Sequence, residues 1–500
     1  MFHGPYKSSF VYSLAGMCIA VLLSVATFFS PSWFSYAFWL ILLFTAVVGL
    51  RRFDVAVLML LAELFVGSQG RLFSIDFFGF SLSLRMGLFI VIALLWLLQR
   101  RWKRLRELWA SPISWWSLIL LCLLVLGTAI GYVLGNNRSF LFFDVNGYLF
   151  LLSGIFFFTV IRTKNDVERV LGVFSANAVF SAVFVLVLLA VFSHGYEGSH
   201  EVYRWVRDTR MFEITGLGNN YYRIFSQAHI FSLLGFFIFF AVWAFAKLNQ
   251  TEKRFSLFVL ASSGITLLMS FSRSFWVAAC ATMILMLPWL FRNARQAGAR
   301  IGIVSLTLIA LFIVDALVIT FTANFPVLYG RSGGKTAVQV IGERSTDIAE
   351  PAAASRYALL KPLVNAGLKY PVFGSGFGAS LTYTTSDPRI VAQTGGAYTT
   401  FAFEWGYLDL FFKLGILGLV VFLGLFLALF QESRIVFSHL RRGTRDAAIV
   451  AGFFLSLVAL FLTHALTPYL NHPTGLGFIM LMAAVLFAYR EKSHLLEPSQ

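Results

Sequence analysis

Two arginines stand where a guanidinium is costly. Arg273 lies in MSFSRSFWVAA, between two apolar runs joined by almost no loop. Arg223 lies in NNYYRIFSQAHIF, where the chain passes from a polar segment into an apolar one. At a membrane edge such a cation either snorkels to lipid phosphate or binds something anionic. Ser272 and Ser274 flank Arg273 and would give it a small polar pocket. Arginine suits a phosphate ligand because its planar fork binds two oxygens at once and stays charged. Upstream, Arg204, Arg207 and Arg210 read first as a solvated or headgroup-facing patch; Arg210 is carried forward as a candidate substrate contact.

A carboxylate completes the set. In TTFAFEWGYLDLFFKLGILGLVVF, Glu404 and Asp409 fall at or just inside the start of an apolar run, where an unused carboxylate is unfavourable. Glu404, Tyr407 and Phe411 share a helical face by their spacing. Asp409 points elsewhere and is expected to pair with Lys413, four residues on; Gly415 and Gly418 are expected to permit close helix packing. Before this run comes ASRYALLKPLVNAGLKYPVFGSGFGAS. Tyr357, Leu360, Val364 and Leu368 recur at helical spacing and predict an amphipathic helix on the outer surface or over a cavity, with Arg356 and Lys361 on other faces. Pro362 predicts a kink or a first turn, and Pro371 a helix stop. Gly374, Gly376 and Gly378 follow at alternate positions and could bring backbone N–H groups close to a ligand, although such a run also makes ordinary turns. No grouping of His, Asp, Glu and Cys suggests a metal site.

The elements that must position these residues are membrane helices. The chain has 500 residues, 59% hydrophobic and 12% charged, against roughly 25% charged in a soluble domain. Apolar runs recur at about 10–29, 34–50, 53–67, 84–99, 113–134, 145–161, 168–192, 227–246, 255–271, 275–291, 301–322, 402–430, 447–466 and 474–489. Most can cross roughly 30 Å of hydrocarbon, and backbone groups in lipid must be satisfied within such a segment. The expected fold is therefore an all-α, polytopic transmembrane bundle of about 12–14 spans, without the alternating strands of a barrel. The first run lacks a cleavage site and reads as an anchor.

The net charge of +16 is a matter of topology rather than of nucleic-acid binding. Basic residues crowd alternate loops, among them Arg100, Arg101, Lys103, Arg104 and Arg106, then Arg434, Arg441, Arg442 and Arg445. That bias predicts cytoplasmic loops and puts both termini inside. Two longer segments then fall outside, at about 193–226 and 323–401. They divide the chain into helices over 1–322, an outer helical loop subdomain over 323–401, and C-terminal helices with a tail over 402–500. Cys18, Cys122 and Cys280 all sit in predicted spans, so no disulfide framework is expected outside.

The order of these parts resembles the O-antigen polymerase and O-antigen ligase superfamily of bacterial inner-membrane enzymes. The resemblance covers roughly 220–430 and rests on Arg223, the Ser272–Arg273 pair, Pro371 to Gly378, and Tyr407-Leu408 through Leu414-Gly415-Ile416-Leu417-Gly418. It implies a multi-pass protein of the bacterial plasma membrane with a periplasmic loop. Its substrate would be a glycan on an isoprenoid (undecaprenyl) pyrophosphate, in contact with membrane lipid and with other polysaccharide-assembly proteins. The implied reaction passes that glycan to a sugar hydroxyl with inversion and needs no metal or other cofactor. On this reading Arg223, Arg273 and Glu404 are catalytic, and Arg210, Ser272, Arg356, Gly374, Gly376, Gly378 and Tyr407 bind substrate. Ligases of the superfamily commonly open the last motif span with His-Asn; here Glu404 and Trp405 stand in that register, which favours a polymerase over a ligase. A lipid-linked oligosaccharide flippase or other transporter is the alternative from another class. Glu63 and Asp315 inside apolar runs would suit an ion path, but no internal repeat of the kind common in transporters is evident.

Overall fold

A run of about twenty apolar side chains gives its backbone no water to bond, so each run closes its own hydrogen bonds as a helix. The computed structural model describes residues 4–67, 69–77, 80–102, 111–218, 220–290, 294–326, 335–346, 351–385 and 388–494. Its helices, in chain order, begin with α1 (Pro5–Phe29), α2 (Phe34–Arg51), α3 (Phe53–Val66), α4 (Leu84–Leu98), α5 (Pro112–Val133), α6 (Arg138–Tyr148) and α7 (Ser153–Val160). They continue with α8 (Lys164–His194), α9 (Ser199–Asp208), α10 (Ile230–Phe245), α11 (Gln250–Met269), α12 (Arg273–Leu290) and α13 (Ala294–Asn324). The last are α14 (Ala337–Thr346), α15 (Pro351–Gly367), α16 (Pro388–Thr394), α17 (Gly406–His439), α18 (Arg445–Leu466) and α19 (Pro473–His494).

Ten helices among the described residues are long and apolar enough to cross a membrane, which makes the fold a polytopic helix bundle. The other four expected spans are helical too, as α3, α4, α11 and α12. Of these α3 has 14 residues and α4 has 15, short for a full crossing. Leu40, Leu43 and Phe44 on α2, and Ile309, Ile313 and Leu317 on α13, point outward, as lipid-facing side chains should. Burial is deepest along helices such as α10 and α19, where Phe237, Phe239, Leu481 and Val485 are fully buried.

The fold is the expected, mostly helical membrane bundle, with short strands added between helices. Among the described residues three antiparallel hairpins occur: β1 (Ser74–Phe77) with β2 (Phe80–Ser83), β3 (Glu213–Gly218) with β4 (Tyr221–Phe225), and β5 (Leu381–Thr384) with β6 (Ala397–Thr400). Strands of four to six residues are too short to leave a readable alternation. Residues 193–226 thus hold α9 and the β3–β4 hairpin, and 323–401 hold α14, α15, α16 and the β5–β6 hairpin. The α15 helix runs through Pro362 without ending. Ala358, whose carbonyl would have accepted the lost bond, is exposed. Its buried stripe is Leu359, Leu363 and Gly367, whereas Tyr357 and Leu368 of the expected apolar face are exposed. That stripe packs against α17 in a second small core with Ala379, Tyr383, Phe403 and Phe412.

The α17 helix is broken. Gly415 has φ 65° and ψ −164°, inside an otherwise continuous helix of 34 residues. A break at membrane depth frees backbone groups that must find partners in the protein. Residues 371–376 supply them. The Ile416 amide donates to Pro371 O (2.8 Å), while the Ser375 and Gly376 amides donate to Phe412 O (2.8 Å) and Lys413 O (3.0 Å). The same segment is clasped from behind by α5, where Phe377 N donates to Gly127 O at 3.0 Å. Just beyond α5, Asn136 Nδ2 donates to the carbonyls of Ser375 and Phe377, each at 2.9 Å. Gly415 therefore serves the break, not the helix packing expected of it.

Candidate active site

The turn Ser270–Arg273 joins α11 to α12 with Phe271 at φ 45°, left-handed for a bulky residue. Ser270 Oγ bonds Leu267 O (2.7 Å) and accepts from Ser272 N (3.2 Å), which fixes the turn. Arg223 reaches it from β4: its Nε donates to Ser270 O at 3.1 Å, and its guanidinium lies 4.6 Å over the Phe225 ring. Glu213, at the start of β3, holds a carboxylate oxygen 3.9 Å from Arg223 Nη1. Arg273 opens α12, and its Nε donates to Arg344 O at 3.0 Å, in the last turn of α14. The two arginines are thus brought to one turn from different parts of the chain, each oriented through a backbone carbonyl.

Ser272 and Ser274 are buried and bonded to each other at 2.9 Å. Thr467, just past α18, donates to Ser274 Oγ at 2.9 Å. Thr467 begins the short connection to α19, which also holds Tyr469, Asn471 and His472. Tyr469 is 1% exposed, its ring sits 5.9 Å from that of Phe275, and its hydroxyl has no partner among the described residues. Burial pushes this phenol above its ordinary range; Glu213 adds to the shift and Arg223 opposes it. His472 goes the other way, down to about 4, because burial and then the charges of Lys413 and Arg85 disfavour a second cation.

Across the C-terminal end of α18 lie the residues that open α17. Glu404 forms an ion pair with Arg356 of α15, and Trp405 Nε1 donates to Arg356 O at 2.9 Å. Tyr407 donates to Phe461 O (2.9 Å) and sets its ring edge-on to His464 at 4.8 Å. A side chain at Gly406 would place its first carbon 2.2 Å from His464 O, so α17 and α18 touch there by backbone. Deeper in α17, Lys413 is 3% exposed and bridges Asp144 of α6 (2.7 Å) and Asp409 (3.0 Å). The expected Asp409–Lys413 pair is present, with Asp144 added. Asn471 Nδ2 donates to Asp409 Oδ2 at 2.6 Å and Gly378 N to Asp144 Oδ2 at 2.8 Å.

The three alternate glycines are placed differently from the ligand cradle expected of them. All have positive φ, and each N–H is donated within the protein: Gly374 to Tyr370 O, Gly376 to Lys413 O and Gly378 to Asp144. Side chains at Gly374 and Gly376 would meet the Lys413 and Gly131 backbones at 2.3 Å. These glycines let the 371–378 segment lie against α5, α6 and α17. Arg210 stands apart from the arginine turn. It lines a cavity of about 310 Å³ that also takes in Glu213 and Phe225.

Residues 256–423 match the family model for O-antigen ligase. This stretch is an O-antigen ligase domain of the O-antigen polymerase and ligase superfamily. No curated protein matches the chain. Members of the family are lipid-linked glycan polymerases or ligases. The matched stretch contains Arg273, Arg356, the alternate glycines, Glu404, Asp409 and Lys413, and it ends inside α17. Arg223, Asp144, Tyr469 and Asn471 lie outside it, yet the fold brings them against it. Asp144 and Asn471 are polar residues within or between apolar runs, and that was the available signal for them.

Proposed function

We propose that this protein polymerises a glycan, transferring it from an isoprenoid-pyrophosphate carrier to a sugar hydroxyl of another carrier-linked glycan. The observation that supports this most is the approach of Arg223 and Arg273 to one turn inside an O-antigen ligase domain. As the glycosidic bond breaks, its electron pair goes to the pyrophosphate oxygen and charge accumulates there. Preorganised guanidinium groups in a partly dry site oppose that charge without reorganising. The acceptor hydroxyl attacks the anomeric carbon from the opposite face and gives its proton to a base. Glu404 is the candidate base, a carboxylate at the outer end of α17 that is half exposed and turned to Arg356. Asp409 is a poorer candidate, because it is buried and already bonded to Lys413 and Asn471.

The same reading places the site on the extracytoplasmic side of a bacterial plasma membrane, with both termini inside. Glu404 in the register of the ligase histidine favours polymerase over ligase. Purified protein given a lipid-pyrophosphate-linked repeat unit should yield longer products still on the carrier. Transfer to a different acceptor would mark a ligase, and relocation without new bonds a flippase. Arg223→Ala and Arg273→Ala should each abolish most product, and Arg273→Lys should be poorly tolerated because a point charge does not reproduce the fork. Wild-type output from both alanine variants at equal expression would overturn the assignment.

A further inference from the structure

Tyr469 carries a buried hydroxyl that makes no bond within the fold. The residue is 1% exposed, and its hydroxyl has no hydrogen-bond partner among the described residues. A buried hydroxyl without a partner has lost its water with no compensation, so each one in a folded chain calls for an explanation. Phenylalanine would fill the same space without that cost. Tyr6 on α1 makes the contrast: it is also 1% exposed, but its hydroxyl is bonded to Ser175 Oγ.

The chain around Tyr469 is held as a positioned donor requires. Ahead of it, Thr467 Oγ1 donates at 2.9 Å to Ser274 Oγ, the residue next to Arg273. The amides of Tyr469 and Leu470 both donate to His464 Nδ1, at 3.0 and 3.1 Å. Behind it, Asn471 Nδ2 donates to Asp409 Oδ2 (2.6 Å) and His472 N to Tyr469 O (3.1 Å). Ring contacts then lay the side chain against the arginine turn. Its ring lies 5.9 Å from that of Phe275, Phe275 lies 6.0 Å from Phe225, and Phe225 carries the Arg223 guanidinium at 4.6 Å. Burial holds the phenol above its ordinary range, with Glu213 adding and Arg223 opposing. It therefore stays protonated, able to give a hydrogen bond but not to serve as a base.

We propose that the Tyr469 hydroxyl donates a hydrogen bond to the carrier pyrophosphate beside Arg223, as a further contact of the donor site. This rests on the glycan-transfer reading. It adds a neutral donor from the α18–α19 connection, outside the matched stretch 256–423. As the glycosidic bond breaks, its electron pair passes to the pyrophosphate oxygen. A hydroxyl already stripped of water and fixed in place answers that charge without reorganising. No proton leaves Tyr469 in this step.

The full chain in phosphatidylcholine nanodiscs is titrated with geranyl pyrophosphate, and its turnover is measured at saturating lipid-linked donor. Tyr469→Phe should weaken geranyl pyrophosphate by about tenfold or more, the loss expected for a hydrogen bond to a charged group. Turnover should fall by roughly 10²-fold, as when one oxyanion donor is removed. The thermal midpoint should match or exceed that of wild type, because no bond within the protein is lost. Tyr6→Phe, which gives up the bond to Ser175, should show the opposite: a lower midpoint with binding and turnover unchanged. Geranyl pyrophosphate binding or turnover left unchanged by Tyr469→Phe would overturn the proposal. So would a lowered midpoint, which would mark a structural partner. Wild-type protein that binds geranyl pyrophosphate through Tyr469 but makes no glycan product would sink the transfer reading and leave this contact standing. Product formation with an unaffected Tyr469→Phe would sink this contact alone.

Discussion

Glu404 presents the sharpest choice for a single side chain. It is either a base that takes the acceptor's proton or only the partner of Arg356. Glu404→Gln keeps the shape and hydrogen-bonding capacity and removes the basicity. Turnover at saturating lipid-linked donor should fall by roughly 10²–10⁴-fold, with donor binding little changed. A rate within a few-fold of wild type would leave Glu404 as a structural partner alone. Arg273 and Glu404 were legible in the sequence because a charge stands out in an apolar run. Tyr469 was not, since tyrosines at membrane edges are commonplace; only its buried hydroxyl near Arg223 distinguishes it. Gly374, Gly376 and Gly378 were legible as a backbone device but not as to which. A glycine run reads alike for a phosphate cradle and for a close crossing, and the partners of its amides decide the matter.

Among the elements, α17 carries the most information per residue. The break at Gly415 needs a left-handed backbone, and a side chain there would lie 2.2 Å from Val372 O. Gly415→Ala should therefore cost more than the 1–3 kcal/mol of backbone strain alone, seen as loss of monodisperse protein or a large drop in thermal midpoint. Gly16→Ala on α1, where nothing lies within 4 Å, should leave both unchanged or slightly improved. An intact Gly415→Ala protein would mean that α17 can run straight. Sequence periodicity could not reveal the break, because helical spacing continues on both sides of Gly415 and a glycine in a membrane helix also reads as a packing position. The hairpins escaped for a related reason, being shorter than any window that registers alternation. The buried stripe of α15, Leu359, Leu363 and Gly367, lies about one residue from the expected one, because the face turned to α17 decides burial there.

For the whole molecule, the order of apolar runs was the most legible feature, because lipid enforces one solution on each. The basic loops predict the orientation, and the prediction can be tested directly. In a cysteine-free background, Thr394→Cys on α16 should react with an impermeant thiol reagent from outside intact spheroplasts, and Ser438→Cys near the end of α17 should not. The reverse pattern would invert the arrangement and remove the extracytoplasmic site. What no linear reading could supply is how distant segments complete one another. The carbonyls of Phe412 and Lys413 are answered by Ser375 and Gly376, and the 371–378 segment is held in turn by α5. It follows that the segment before α17 cannot be traded between related enzymes as a cassette. A hybrid joined near residue 401 would confront one parent's broken helix with the other parent's splint. The smallest heritable block runs from Pro371 through Leu417, and it must travel with the Gly127–Gly131 stretch that receives it.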